Sequence, residues 1–218
     1  LSIGPISVPT VNDVPSYVQI IMAAGLYQNG GTATNTAAIS IPSTIQFTYG
    51  VTTVNVPVVA VRGGYTEDPN AGCAGSSDPI LTRVDIRQGI NAGIMAAATT
   101  GAAITSAVTN GATVFDGQLA TGSSTRSVIE ISDNAFPAGL LIDNVVISRG
   151  EAELTTISLD PAIYGGGVFI DADASAKTIH FHGVTFYANT ANARGGALYI
   201  EGLDGATVSE VNVKISYS

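Results

Sequence analysis

Cysteine, tryptophan, histidine and charge are all scarce in this 218-residue chain. The single cysteine, Cys73, excludes an intrachain disulfide framework and any CxxC metal knuckle, and reads as a partly buried or idle thiol. His180 and His182 are the only histidines, and two ligands without a neighbouring Cys, Asp or Glu do not complete a tetrahedral zinc site. Charged residues make up 11% of the chain, with 8 basic against 17 acidic, so there is no basic stripe to follow a nucleic-acid backbone. No stretch reaches the roughly 18 consecutive apolar residues of a membrane-spanning helix. P-loop, dinucleotide and Ser-His-Asp signatures are missing, and no cofactor is expected. The chain opens at Leu1 without Met or a basic n-region, which predicts a mature or trimmed product.

What is present is a chain 45% hydrophobic, filled out with Gly, Ala, Ser, Thr and Asn, a globular composition and not a disordered one. It also repeats itself. "GGGVFI" at 165 to 170 returns as "GGALYI" at 195 to 200, a shift of 30. "TIHFHGVTFYAN" at 178 to 189 lies on "GLLIDNVVISRG" at 139 to 150, a shift of 39, and the same shift carries Ile129 and Ile131 onto Val168 and Ile170. The segment "TVSEVNVKISYS" at 207 to 218 aligns on it with a shift of 29.

Parity within the unit identifies its structure. Ile179 and Phe181 alternate with polar neighbours, as do Val184 and Phe186, but the inward parity flips at His182-Gly183. Leu140 and Ile142 give way to Val145 and Ile147 with the flip at Asp143-Asn144. A strand alternates its faces with period two, so each flip requires a corner. Asn144, Gly183 and Asn212 are the predicted equivalent corners, filled by residues that tolerate left-handed backbone. Short strands, corners and a repeat of roughly 25 to 35 residues predict an all-β fold, a single right-handed parallel β-helix (β-solenoid) of six to eight turns with loop insertions. Val145/Val184/Val213 and Ile147/Phe186/Ile215 are the expected interior ladders. Residues 1–16 form an extended N-terminal arm and 17–218 the β-helix, with excursions at about 66–112, including one short helical turn, and at 151–164, where Asp160-Pro161 would interrupt a strand.

Two words carry a resemblance. Phe186-Tyr-Ala-Asn189 (FxxN) followed by Gly195-Gly196-Ala197-Leu198 (GGA[ILV]) resembles the repeat pair of the chlamydial-type polymorphic outer membrane proteins. "VQIIMAAGLYQ", "VRGGYTEDP", "TVFDGQ" and "LIDNVVISRG" resemble, in order, the earlier turns of the same proteins. The resemblance implies a β-helix displayed extracellularly or at the cell surface as an adhesin, passenger or self-associating fibre. The residues of both words are explained by packing and corner geometry.

Candidate sites follow from the same frame. Phe169 and Tyr199 alternate opposite to the inward Val168/Ile170 and Leu198/Ile200, so stacked turns would present them as an exposed aromatic contact for host or cell-surface glycans or proteins. Val211, Val213 and Ile215 lie where the chain stops within a turn, predicting an apolar end that assembles with other copies. Asp171 and Asp173 have the spacing for one strand face but fall in the polar run "DADASAK", which reads as a solvated turn and not as a glycosidase pair. Asp116 is expected to close a turn with Gly117. His180 and His182 are expected on an outward, polar face. The reading is a non-enzymatic extracellular structural or adhesive protein, and the alternative is a carbohydrate-binding or carbohydrate-active β-helix.

Overall fold

The computed structural model describes residues 3–28, 39–68, 80–83, 104, 107–108, 111–117, 127–131, 136, 138–152, 164–171, 177–201 and 211–216. Over these residues the protein is all-β and built from parallel stacks of short strands. The first stack joins β2 (Val18–Ala23), β5 (Thr52–Asp68), β9 (Leu140–Asp143), β13 (Lys177–His182) and β17 (Val211–Ser216). The second joins β3 (Gly25–Gln28), β7 (Thr113–Asp116), β10 (Val146–Ser148) and β14 (Thr185–Tyr187). The third joins β8 (Ile129–Ile131), β12 (Val168–Asp171) and β16 (Leu198–Glu201), extended by a bridge from Ile39 to Ile129. A short pair, β11 (Glu151–Ala152) with β15 (Thr190–Ala191), lies between the second and third stacks along the chain.

Strand pairing reproduces the sequence repeat. Leu140 pairs with Ile179, Val146 with Thr185 and Ile131 with Ile170, all at a shift of 39, whereas Val168 pairs with Leu198 at a shift of 30. The change of length falls between Ala152, still paired at 39 with Ala191, and Tyr164, bridged to Arg194 at 30. The expected excursion at 151–164 is therefore narrower, because Glu151 and Ala152 already belong to a strand; Asp160-Pro161 lies outside the described residues.

The corners are equally regular. Asn144 and Gly183 share a left-handed backbone, with φ of 57° and 59°. Arg149 and Ala188, again 39 apart, are left-handed at the next corner, as are Gly165 and Gly195, 30 apart, at the one after. A left-handed residue turns the chain abruptly between strands, which lets one short strand follow another without a long loop.

The last strand corrects one alignment. Val213 pairs with Ile179 and Ile215 with Phe181, a shift of 34, so both continue the first stack and not the Val184 and Phe186 rows. Asn212 is not a corner: it lies within β17 opposite Thr178. Apolar alternation alone fits either strand of the preceding turn, since the shift is free, and the shift of 29 placed β17 on the wrong one.

One apolar interior lies among the three stacks. Its rows include Val61, Ile142 and Phe181 in the first, Phe115 and Ile147 in the second, and Ile129 and Val168 in the third, all fully buried. Phe181 and Phe186 meet edge to face at 5.7 Å across the inner corner between the first two stacks. Each such aliphatic or aromatic side chain contributes about 1.5–3 kcal/mol by leaving water.

Other strands complete the assembly. β4 (Thr44–Tyr49) forms an antiparallel hairpin with the start of β5, and buries Ile45 and Phe47 against the interior beside β2 residues Ile20 and Met22. The N-terminal arm is docked: β1 (Ile6–Ser7) pairs in parallel with β4, Val8 and Val14 pack on the core, and Val11–Asp13 make a 3-10 turn closed by Thr10 on Asp13. Beyond the first stack, the end of β5 pairs antiparallel with β6 (Ile80–Arg83). Within the larger excursion, Ile104, Ala107 and Val108 are helical, and Ile104 and Ala107 are buried on the outward side of the second stack against Val114 and Val146. The longest parallel stack has five strands among the described residues.

Close backbone contact also explains the glycines. A Cβ on Gly166 would overlap the Thr190 carbonyl oxygen, and one on Gly150 the Gly166 carbonyl oxygen. Nothing lies within 4 Å of a Cβ at Gly4. Gly166→Ala should cost about 2–3 kcal/mol in chemical denaturation, whereas Gly4→Ala should change stability by less than about 0.5 kcal/mol.

Candidate functional site

The FxxN and GGAL words are built into the contact between the last turns. Phe186 pairs with Ile147 and packs half-buried on the core. Asn189 reaches back one turn, its Oδ1 accepting from the Gly150 N–H at 3.0 Å and its Nδ2 donating to the Ile147 carbonyl at 2.8 Å. Gly195 supplies the left-handed corner with φ of 68°, and the Gly196 carbonyl accepts the Gly167 N–H at 2.8 Å. The Ala197 carbonyl accepts the Val168 N–H at 2.8 Å, and Leu198 then enters the interior row after Val168. All six residues thus hold one turn on the previous one. Asn144 performs the same task a corner earlier, its Nδ2 donating to the Gly63 carbonyl at 3.1 Å.

Asp116 does not close a surface turn as expected. It ends β7 fully buried, and its carboxylate joins three successive turns of the second stack. Arg149, at the end of β10, donates through Nε to Oδ1 at 2.8 Å and through Nη2 to Oδ2. Gln28 Nε2, from β3, donates to the same Oδ2, and Ser148 Oγ lies 3.3 Å from Oδ1. This buried charge is tolerable only because a guanidinium and neutral donors surround it. Strand register sets Ser148 opposite Asp116, but nothing in a separation of 33 residues marks Arg149 as the partner.

The outward side of the first stack gathers a row of titratable groups. Register aligns Ile21, Arg62, Asp143, His182 and Ser216 in one row, and Gln19, Ala60, Leu141, His180 and Lys214 in the next. His182 Nδ1 lies 2.9 Å from Asp143 Oδ1, and His180 Nε2 lies 2.8 Å from Ser216 Oγ. Both histidines are half-buried on this outward polar face. Burial, then the neighbouring Lys214 and His182, hold the His180 pKa below its ordinary value, with Asp143 acting in the opposite sense. Among the described residues no group of three or more His, Cys, Asp and Glu could hold a metal.

The expected exposed aromatic pair is corrected. Phe169 and Tyr199 are in register and stack at 6.0 Å, but Phe169 is only 1% exposed. As the middle strand of the third stack, β12 has Glu130 on one side of Phe169 and Tyr199 on the other. Tyr199 also stacks on Tyr164, with centroids 4.5 Å apart and planes 15° from parallel, a contact that sequence reasoning missed. Asp171 ends β12 opposite Glu201, while Asp173 and Cys73 lie outside the described residues.

The expected apolar end is resolved residue by residue. Ile215 is 53% exposed although its row partners Ile142 and Phe181 are fully buried, and Ile200 is 39% exposed beside the fully buried Ile170. Val213 is half-buried against the core. Val211 pairs with Lys177 through its backbone, and its side chain lies outside the described part.

These features define a class: an all-β protein of parallel stacks whose buried polar side chains tie successive turns together. Compared with known proteins, the chain matches no family model, no curated protein and no solved structure.

Replacing Asp116 with Ala leaves Arg149 and Gln28 facing a buried gap, and should lower stability by about 3 kcal/mol in a denaturant titration. Acid should act through His180. Its depressed pKa means that the unfolded chain takes up the proton first, so its contribution is complete above pH about 6.5 and declines as pH falls toward the folded pKa. Thermal unfolding of wild type and His180→Gln across this window should show a shallower acid loss in the variant.

Proposed function

We propose that the chain winds as a right-handed parallel β-helix and serves as a non-enzymatic structural or adhesive protein at the cell surface, associating with further copies of itself. The observation that carries this reading is the fate of the interior rows. Positions fully buried at Ile142, Phe181 and Ile170 continue to Ile215 and Ile200, which face solvent at 53% and 39% exposure. An apolar cross-section with strand edges is the surface on which another chain can continue a stack. The corner regularity and the three parallel stacks support the β-helix reading. Extracellular display is supported by the resemblance carried by Phe186-to-Asn189 and Gly195-to-Leu198, and by a composition poor in charge. The buried polar residues support a structural role, since Asn144, Asn189 and Asp116 spend their hydrogen-bonding capacity on neighbouring turns.

Light scattering over a dilution series, beside negative-stain electron microscopy, tests the reading. The wild-type chain should show mass rising with concentration and regular filaments or sheets, and Ile200→Asp with Ile215→Asp should hold it at monomer mass. A wild-type chain that remains monomeric at every concentration, with no ordered particles, would sink self-association.

A further inference from the structure

We infer that Tyr164 and Tyr199 form a site of oxidative modification, a dityrosine cross-link that covalently ties the turn holding β12 to the turn holding β16. Tyr164 stands immediately before the left-handed Gly165 corner and is bridged to Arg194, whereas Tyr199 lies in β16 of the following turn. Their rings are stacked, with centroids 4.5 Å apart and planes 15° from parallel, so the two phenol rings are held against each other. Both side chains are half-buried, open enough for a small oxidant and held enough to keep the geometry. The second ring neighbour of Tyr199 is Phe169, at 6.0 Å, which has no phenol to oxidise. Tyr164 is therefore the coupling partner that the fold supplies.

The step needs a one-electron oxidant. Each phenol loses one electron and one proton, the two phenoxyl radicals join through ortho carbons, and each ring regains its phenol as the hydrogen on the coupled carbon moves to oxygen. One carbon–carbon bond forms, and two hydrogen atoms leave as protons and electrons. With persulfate as the final acceptor, the two electrons break its O–O bond and release two sulfates. The product bridges residues far apart in sequence and so restricts the unfolded chain, which raises thermal stability. This assignment stands whether or not the chain self-associates.

The test is photo-oxidation of the dilute purified protein with a ruthenium trisbipyridyl sensitiser and persulfate. The expected product is a monomer lighter by two hydrogen atoms, with dityrosine fluorescence, a higher unfolding temperature, and a Tyr164–Tyr199 linkage in the peptide map. Its yield should not depend on protein concentration. Tyr164→Phe and Tyr199→Phe each keep the stacked ring and should abolish this product, while more exposed tyrosines such as Tyr17 remain in place. Three outcomes would overturn the site: no dityrosine in the wild type, linkage only between molecules, or fluorescence that survives in Tyr199→Phe with circular dichroism unchanged.

Discussion

The structure depends on one constraint: each turn must bring its strands back beside those of the turn before, in register and at the spacing of a parallel ladder, about 4.8 Å. At that distance backbones pass too closely for side chains at some corners. Gly166 sits where a Cβ would strike the Thr190 carbonyl of the next turn, and Gly150 where one would strike the carbonyl of Gly166 within its own turn. Asn144, Arg149, Gly165 and their counterparts Gly183, Ala188 and Gly195 take the left-handed backbone that ends one strand and starts the next. Arg149 and Ala188 show that this conformation is imposed by the stack, since neither residue favours it alone.

Once register is set, aiming polar groups at the next turn offsets much of the cost of burying them. Asn189 satisfies a donor and an acceptor of the preceding turn at once, and Asp116 gathers Gln28, Ser148 and Arg149 from two adjacent turns. The same regularity makes the outward faces into rows. Side chains far apart in the chain become neighbours along the stack, as with Asp143 and His182, or Phe169 and Tyr199. Two kinds of surface result: a polar row in which His180 responds to acid, and an aromatic stack on which an oxidant can act.

Much of this architecture was legible because parallel stacks of short strands repeat one physical problem. The shifts of 39 and 30, the flips of parity at Asn144 and Gly183, and the glycine corners at 165 and 195 all reflect local steric demands, and all reappear in the pairing. The register of β17 was not legible, because its alternation fits two strands of the preceding turn equally well and only backbone pairing chooses between them. Phe169 was read as exposed because parity reports the face of a strand and not what covers it. Val146 illustrates the same limit: it points away from the main core yet is buried by Ile104 and Ala107, from an excursion with no period of its own.

By itself, then, the sequence determined the all-β class, the shifts of 39 and 30, the corners at Asn144 and Gly183 and the two short words that join the last turns, since each follows from steric rules acting within a few residues. Only the tertiary structure decided the partner of Asp116, the docking of the N-terminal arm, the place of β17 and the pairing of Tyr164 with Tyr199. Those depend on which segments meet across tens of residues, and the spacing of side chains along one strand carries no information about the distance to another.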